Sequence, residues 1–148
     1  MDLGVVYAIT GAAMAISLGG AGSAFGLRKS GVVVSGILRE NPERWGSLFL
    51  LAFLPATQGL YGFITAIMAF ISVEAGSLTP EAGLEILVAC IPIAITGLVT
   101  GSLQGSVCAA AAETVAARPD QVGRGVILAA FIEFYAILGL MISILFLI

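Results

Sequence analysis

The sequence contains no histidine, and charged side chains of either sign are scarce. Only 10% of its 148 residues are charged, whereas 59% are hydrophobic; an ordinary soluble domain has about 25% charged residues. The net charge is −3, which argues against a nucleic-acid partner, because nucleic-acid binding is typical of basic domains. The composition therefore predicts an integral membrane protein, too short for several domains and without a nucleic-acid partner.

Cysteine is scarce as well. The two cysteines, Cys90 and Cys108, lie inside apolar segments and lack the spacing of metal ligands or of a redox pair. We expect both to be small packing residues of the interior.

Charged residues divide the chain into four long apolar stretches. These stretches comprise approximately residues 3–27, 45–73, 84–112 and 125–148. Each exceeds the roughly 20 residues that a helix needs to cross a bilayer. Strands of a membrane barrel would instead alternate apolar and polar residues over about ten positions. The sequence therefore predicts an all-α membrane protein with four transmembrane helices.

The basic residues occur in only two of the three connections between these helices. The six of them are Arg28, Lys29, Arg39, Arg44, Arg118 and Arg124. The middle connection carries glutamates and no basic residue. Because cytoplasmic loops carry an excess of lysine and arginine, we expect loops 28–44 and 113–124 to be cytoplasmic. Both termini would then be extracellular, in a multi-pass protein of the cell membrane, and the two helical hairpins would have parallel topology.

The two halves of the chain are similar, which indicates a duplicated hairpin. AGSAFG at 21–26 matches TGSLQG at 100–105, and NPERWG at 41–46 matches RPDQVG at 118–123. These matches predict that the first connection is two residues longer than its counterpart. They divide the chain into a first hairpin, 1–73, and a second hairpin, 74–148.

The copies differ at two polar positions. Ala56 takes the place of Glu133, and Phe25 takes the place of Gln104. We therefore expect the second hairpin alone to carry an ion-binding carboxylate.

The first and third helices each carry a stripe of small residues at spacings of three and four. The stripes are Ala8, Ala12, Ala15, Gly19, Gly22 and Gly26 in the first and Ala94, Gly97, Gly101, Gly105, Ala109 and Ala112 in the third. Such stripes let helix backbones approach closely in lipid. An ordinary tight bundle would also use them, but equivalent stripes on alternate helices favour an inner circle of crowded helices inside an outer circle.

Glu133 lies within the last apolar stretch, where a carboxylate costs roughly 3 kcal/mol or more and is usually functional. The distances along the chain from the nearest charges place Thr57, Gln58 and Gln104 at a similar depth. One carboxylate, two amides and a hydroxyl form an oxygen-rich site of single negative charge, which suits a hard monovalent cation. Calcium would favour a cluster of carboxylates. Hydrogen bonding between helices is the alternative role for the amides and the hydroxyl.

Pro55 adds a local irregularity to the second helix. Proline has no N–H, so the carbonyl of Leu51 lacks its usual helical partner. The geometry of the proline therefore points to Leu51 as a source of a free backbone oxygen.

In combination, TGSLQG, LPATQGLYGF and IEFYAILG resemble the membrane rotor subunit (the proteolipid, or K/c subunit) of V-type ATPases, especially the bacterial sodium-transporting kind. The resemblance covers essentially the whole chain. It implies a rotor ring of identical four-helix subunits that turns in lipid against a membrane stator subunit while other subunits hydrolyse ATP. The chain would then be a non-catalytic transport subunit, and its cytoplasmic loops would contact the central stalk.

The resemblance also implies roles for individual residues. Glu133 would bind sodium, with the proton as its competitor or alternative, and would carry the ion as the ring turns. The remaining site residues would be Thr57, Gln58 and Gln104 as side-chain ligands, the backbone carbonyl of Leu54, and Tyr61, which would hold the carboxylate in place. Leu54 and Leu51 thus remain alternatives for the carbonyl. Phe134 departs from relatives that have a smaller residue after the glutamate, which would alter the stator-facing surface.

Three other functions remain open at this stage. The same rotor could translocate protons. A small secondary transporter could use Glu133 as a proton-coupled substrate site, but it would need a dimer rather than a ring, and the small-residue stripes argue against it. A purely structural four-helix protein would have no use for Glu133.

Overall fold

The structure is a computed structural model that describes residues 2–74 and 78–148, and these are helical almost throughout. The helices are α1 (Leu3–Glu40), α2 (Trp45–Phe53), α3 (Thr57–Glu74), α4 (Pro80–Ala117) and α5 (Val122–Leu147). Because α2 and α3 together form one span, four segments of the described chain are long and apolar enough to cross a membrane. The predicted all-α fold with four transmembrane helices is confirmed.

Helices α1 and α4 continue well beyond the apolar stretches. Each has 38 residues, so the expected loops 28–44 and 113–124 are mostly helical. Charged residues end an apolar stretch, but arginine, lysine and glutamate are good helix formers. Each helix ends instead two residues before a proline, because helical geometry is disfavoured for the residue that directly precedes the proline. Asn41 and Arg118 leave the helical conformation there, and short 3₁₀ turns follow at Pro42–Arg44 and Pro119–Gln121.

The two hairpins are related by one constant shift along the sequence. Pro80 follows Leu3, and Pro119 follows Pro42, by the same 77 positions. The prediction that the first connection is two residues longer is therefore wrong. At this shift the counterpart of Gln104 is Leu27 rather than Phe25, whereas Ala56 remains the counterpart of Glu133.

Helices α1 and α4 run parallel and in close contact. A Cβ atom added to Gly22 would lie 2.2 Å from the carbonyl oxygen of Gly97, and one added to Gly105 would lie 2.3 Å from the Cα of Gly26. Any side chain at Gly22 or Gly105 would force the two backbones apart. The expected close approach of the small-residue stripes and the parallel topology are both confirmed.

The same contact explains the misleading match between AGSAFG and TGSLQG. Gly22 and Gly26 face α4, while Gly101 and Gly105 face α1, so the two pairs lie on opposite faces of equivalent helices. A displacement of two residues rotates a helix position by about 200°. The glycine motifs of α1 and α4 therefore align at a shift two residues larger than the shift of 77 that relates the helices. The reason is that the two hairpins contact each other through opposite faces of equivalent helices.

The second span is interrupted at Pro55. The 3₁₀ turn Leu54–Ala56 separates α2 from α3, as expected where proline removes a backbone donor. The ring of Pro55 is buried, and a Cβ atom added to Gly26 would lie 2.6 Å from the Cβ of Pro55. The turn is thus fixed against α1 at the point where the polar residues of α3 begin.

Both cysteines are buried and free. Cys108 packs with Leu48 and Leu51 in one apolar cluster, and Cys90 packs with Ile93 in another. Their predicted role as packing residues is confirmed.

The middle connection contains residues 75–77, which lie outside the described residues. The boundary between hairpins at 73 and 74 therefore stays a prediction. On the described side, the Thr79 hydroxyl accepts a hydrogen bond from the Ala82 N–H at 3.3 Å and caps α4.

Candidate ion-binding site

Glu133 is half-buried in α5 and is surrounded by four hydrogen-bond donors. Tyr61 Oη lies 2.5 Å from Oε1. Thr57 Oγ1 lies 2.8 Å from Oε2, and the Nε2 atoms of Gln58 and Gln104 lie 2.9 Å from the same oxygen. The structure therefore brings together the five side chains that the sequence singled out, on three helices.

The two glutamines are linked to each other as well as to the carboxylate. Both are fully buried. Gln58 Nε2 donates to Gln104 Oε1 at 2.8 Å, and Gln104 Nε2 also donates to the Ala129 carbonyl at 3.2 Å. Sequence reasoning placed the glutamines at one depth but had no signal for this direct bond, because it depends on how closely α3 approaches α4.

The backbone carbonyl of Leu54 adjoins the site. It accepts the Thr57 N–H in the 3₁₀ turn, and the Thr57 hydroxyl lies 3.0 Å from it. Since that hydroxyl also reaches Glu133, the Leu54 oxygen is one side chain away from the carboxylate. This geometry supports Leu54 as the source of the backbone oxygen.

Gln58 Oε1 is buried and has no hydrogen-bond partner among the described residues. Buried polar atoms are nearly always paired, so such an atom needs an explanation. A free amide oxygen beside a carboxylate is a suitable ligand for a cation. Glu133 is the only carboxylate among these site side chains, and the described chain holds no cluster of three or more histidine, cysteine, aspartate or glutamate side chains.

Lys29 lies at the same depth on the other side of α4. Its Nζ atom donates to the Ser102 carbonyl at 2.9 Å and to the hydroxyls of Ser102 and Ser106 at 3.0 Å. These serines precede and follow Gln104 by two residues, so they project from the opposite face of the helix. The ammonium group is therefore separated from the site by one helix, about 10–12 Å across.

The charge pattern of the sequence predicts a loop at Lys29, whereas the structure places this residue within α1. The available signal was its spacing of three from Gly26, which continues the face of α1 that meets α4. Phe134, by contrast, is exposed on α5 in the single chain, and its predicted effect on the stator-facing surface stays a prediction.

Comparison with known proteins agrees with this geometry. The family model that describes the ATP synthase C subunit matches the chain twice, at residues 10–69 and 87–146. The chain belongs to the ATP synthase C subunit family. The two matches are displaced by 77 residues, the same shift that relates the helices of the two hairpins.

Two relatives narrow the assignment within this ATP synthase family. The chain is 41% identical over 140 residues to the V-type sodium ATPase subunit K of Enterococcus hirae, covering 95% of this chain and 89% of the relative. It is 30% identical over 144 residues to the A-type ATP synthase subunit K of Methanocaldococcus jannaschii, covering 97% of this chain but only 63% of that relative. This member of the family is thus a multi-pass membrane proteolipid, a rotor subunit of the V/A type that takes part in ion translocation.

Proposed function

We propose that this rotor subunit binds sodium at Glu133 and carries it through the membrane as a ring of identical copies turns against a membrane stator. The observation that carries the proposal is the buried oxygen cluster around a single carboxylate, with Gln58 Oε1 left without a partner among the described residues. The relative from Enterococcus hirae is a subunit of a sodium ATPase, which supports sodium as the ion.

Sodium binding needs oxygens where the two amides now direct their nitrogens. The oxygen and nitrogen of a glutamine amide exchange places on a half-turn of the terminal group. After that turn, the oxygens of Gln58 and Gln104 join Glu133 Oε2 and Thr57 Oγ1 around the cation. The Leu54 carbonyl, next to the Thr57 hydroxyl, supplies a fifth oxygen.

Transport follows from the charge of the site. A carboxylate paired with sodium is neutral as a unit, so it can face lipid while the ring turns. A fixed positive charge on the stator stabilises the emptied carboxylate and releases the ion into a hydrated channel. The site refills from the other side, and the direction is set by ATP hydrolysis on other subunits, so this chain itself is non-catalytic.

The orientation belongs to the same proposal. The turns at Pro42–Arg44 and Pro119–Gln121 lie at one end of the molecule, and Arg39, Arg118 and Arg124 lie beside them. Since basic residues favour the cytoplasmic side, these turns face the cytoplasm and contact the central stalk, and both termini lie outside the cell membrane.

Carbodiimide labelling tests the proposed function, because the reagent modifies a protonated carboxyl group. In the purified ring near neutral pH, Glu133 is expected to be the main labelled residue, and sodium is expected to protect it because a cation and a proton compete for one carboxylate. Potassium at the same ionic strength and the variant Glu133→Gln are the controls. Labelling at Glu133 without protection by sodium would identify a proton site; main labelling at Glu113 would remove Glu133 from the mechanism.

A further inference from the structure

Every residue of the ion site has a counterpart 77 positions away in the other hairpin. Glu133 and Gln104 correspond to Ala56 and Leu27 of the first hairpin. The residues contributed by α2 and α3 correspond to residues of α5: Leu54 to Phe131, Thr57 to Phe134, Gln58 to Tyr135 and Tyr61 to Leu138. All the polar ligand side chains are thus replaced by apolar or aromatic ones.

The counterparts on α5 form an exposed aromatic face. Phe131, Phe134 and Tyr135 are 67%, 56% and 64% exposed, whereas Gln58, the equivalent of Tyr135, is fully buried. The difference arises because Gln58 points from the first hairpin toward the second. The equivalent direction from α5 points away from the rest of the chain, toward the place where a third hairpin would lie.

Such a third hairpin is supplied by a second copy of the chain. The contact between the two hairpins joins opposite faces of equivalent helices, as the glycines of α1 and α4 show. In a head-to-tail contact of this kind, each hairpin uses one face and leaves the opposite face uncovered. When the contact is repeated from copy to copy and the rotation closes, a ring results. The free face of α4 and α5 therefore matches the free face of α1 and α3 in the next copy.

We propose that adjacent copies meet at an apolar replica of the ion site, in which Phe131, Phe134 and Tyr135 of one copy pack against Ala56 and Leu27 of the next. This inference rests on the ring of the proposed function. Ala56 and Leu27 are partly exposed in the single chain, and the small side chain of Ala56 leaves room for an aromatic ring where Glu133 stands in the polar site. The replica binds no ion because it offers no carboxylate and no amide.

The inner helices agree with this assignment. At the shift of 77 residues, Gly20 is the counterpart of Gly97, and a Cβ added at Gly20 meets nothing within 4 Å. Gly20 therefore lies on an open face of α1 that the next copy can cover. Gly22 and Gly26 correspond to Val99 and Leu103, which are exposed. The inner contact between copies is accordingly wider than the glycine contact within a chain, and tight and wide contacts alternate around the ring.

Cysteine cross-linking of the assembled ring tests the interface. Thr57 and Glu133 are in hydrogen-bond contact within one chain, so their counterparts Phe134 and Ala56 are expected to touch across copies. In the double variant Ala56→Cys/Phe134→Cys, a short thiol-specific cross-linker should convert most of the monomer band into a ladder of dimers, trimers and larger species. Leu27→Cys/Tyr135→Cys should behave in the same way.

The matched control is Ala56→Cys/Ala130→Cys. Ala130 is exposed one turn from Phe134, but its counterpart, Phe53, has no bond to Glu133, and this pair should stay monomeric. The native cysteines are buried and can remain. A ring of full size without a ladder from Ala56→Cys/Phe134→Cys overturns the interface and shows that the aromatic face meets lipid. An equal ladder from the control overturns the proposed pairing of Phe134 with Ala56. Absence of any ring in the unmodified protein overturns the proposed function instead.

Discussion

The phenolic oxygen of Tyr61 contacts Oε1 of Glu133 at 2.5 Å, on the carboxylate oxygen that neither glutamine reaches. The two oxygens of the carboxylate thus have different neighbours: Oε1 is held by the phenol, and Oε2 faces the amides and the Thr57 hydroxyl. Because both ends of the group are fixed, Glu133 cannot swing away without breaking hydrogen bonds, and Oε2 stays directed at the other oxygens.

Tyr61→Phe is expected to loosen the carboxylate while leaving every proposed ligand in place. A hydrogen bond to a charged group contributes about 1.5 kcal/mol or more, so sodium affinity should fall by about tenfold or more. Labelling by carbodiimide in sodium-free buffer should become faster. Tyr135→Phe is the matched control, since its exposed hydroxyl does not contact Glu133. Equal behaviour of the two variants would contradict a positioning role for Tyr61.

Gln58→Ala and Gln104→Ala each remove one neutral oxygen from a site whose charge remains. Each variant is expected to weaken sodium binding by roughly 10- to 100-fold, as about 1.5–3 kcal/mol is lost. The measurement is the sodium concentration that gives half-protection against carbodiimide, with Gln121→Ala in the exposed turn as control and native gel mobility as the check on assembly. Unchanged protection in an intact ring would assign the glutamines to helix packing alone.

Lys29→Met is expected to tighten sodium binding. The ammonium group favours the emptied, negative site over the filled, neutral one; across about 11 Å at an effective dielectric constant of about 20 this amounts to about 1.5 kcal/mol. Because the side chain of Lys29 is exposed, its charge is partly screened, and the expected gain is about two- to tenfold.

Two variants separate the charge of Lys29 from its hydrogen bonds. Ser106→Ala removes one bond and keeps the charge, and Lys29→Arg keeps the charge in a different shape. Both should bind sodium much as the unmodified protein does. If Ser106→Ala tightened binding as much as Lys29→Met, the packing of α1 on α4 would be the cause and the electrostatic account would be wrong.

Ala56→Glu is expected not to create a second sodium site. The new carboxylate would meet Leu27 where Glu133 meets Gln104, and by the proposed interface it would face Phe134 and Tyr135 of the adjacent copy. Lacking donors and oxygens, it stays protonated or destabilises the helix. Counting bound sodium on the purified ring decides the matter: one ion per chain is expected for both proteins, and two in the variant would contradict this account.

The sequence was sufficient for the helices and for most of the site. Apolar runs of more than about 20 residues predict transmembrane helices. A single carboxylate within such a run indicates a functional site, because placing it in the membrane costs free energy. Thr57, Gln58 and Tyr61 could be assigned to one face because α3 is regular over those positions. Thr57, Gln58 and Gln104 were therefore predictable as neighbours of Glu133 from spacing and depth, whereas the contact of Tyr61 with Glu133 was implied only by the resemblance to rotor subunits.

Three features escaped sequence reasoning for physical reasons. Charge marks where a chain leaves the hydrocarbon, not where a helix ends, so α1 was expected to stop at Leu27 although it continues to Glu40. The glycines of α1 and α4 that form the contact between these helices lie on opposite faces of equivalent helices. Their motifs therefore align two residues away from the shift that relates the two hairpins. The ammonium of Lys29 at the depth of the site followed from neither composition nor spacing of charges.

By the proposed function, a carboxylate in only one of the two hairpins of each chain sets how many ions cross the membrane in one turn of the rotor. A ring with a given number of hairpins turns through twice the angle between successive ions that it would if Ala56 were also a site. Fewer ions then cross for each ATP, and more free energy is available to each; moving one unit charge against 100 mV costs about 2.3 kcal/mol. Such a ratio suits a pump that works against a steep gradient better than a machine that synthesises ATP.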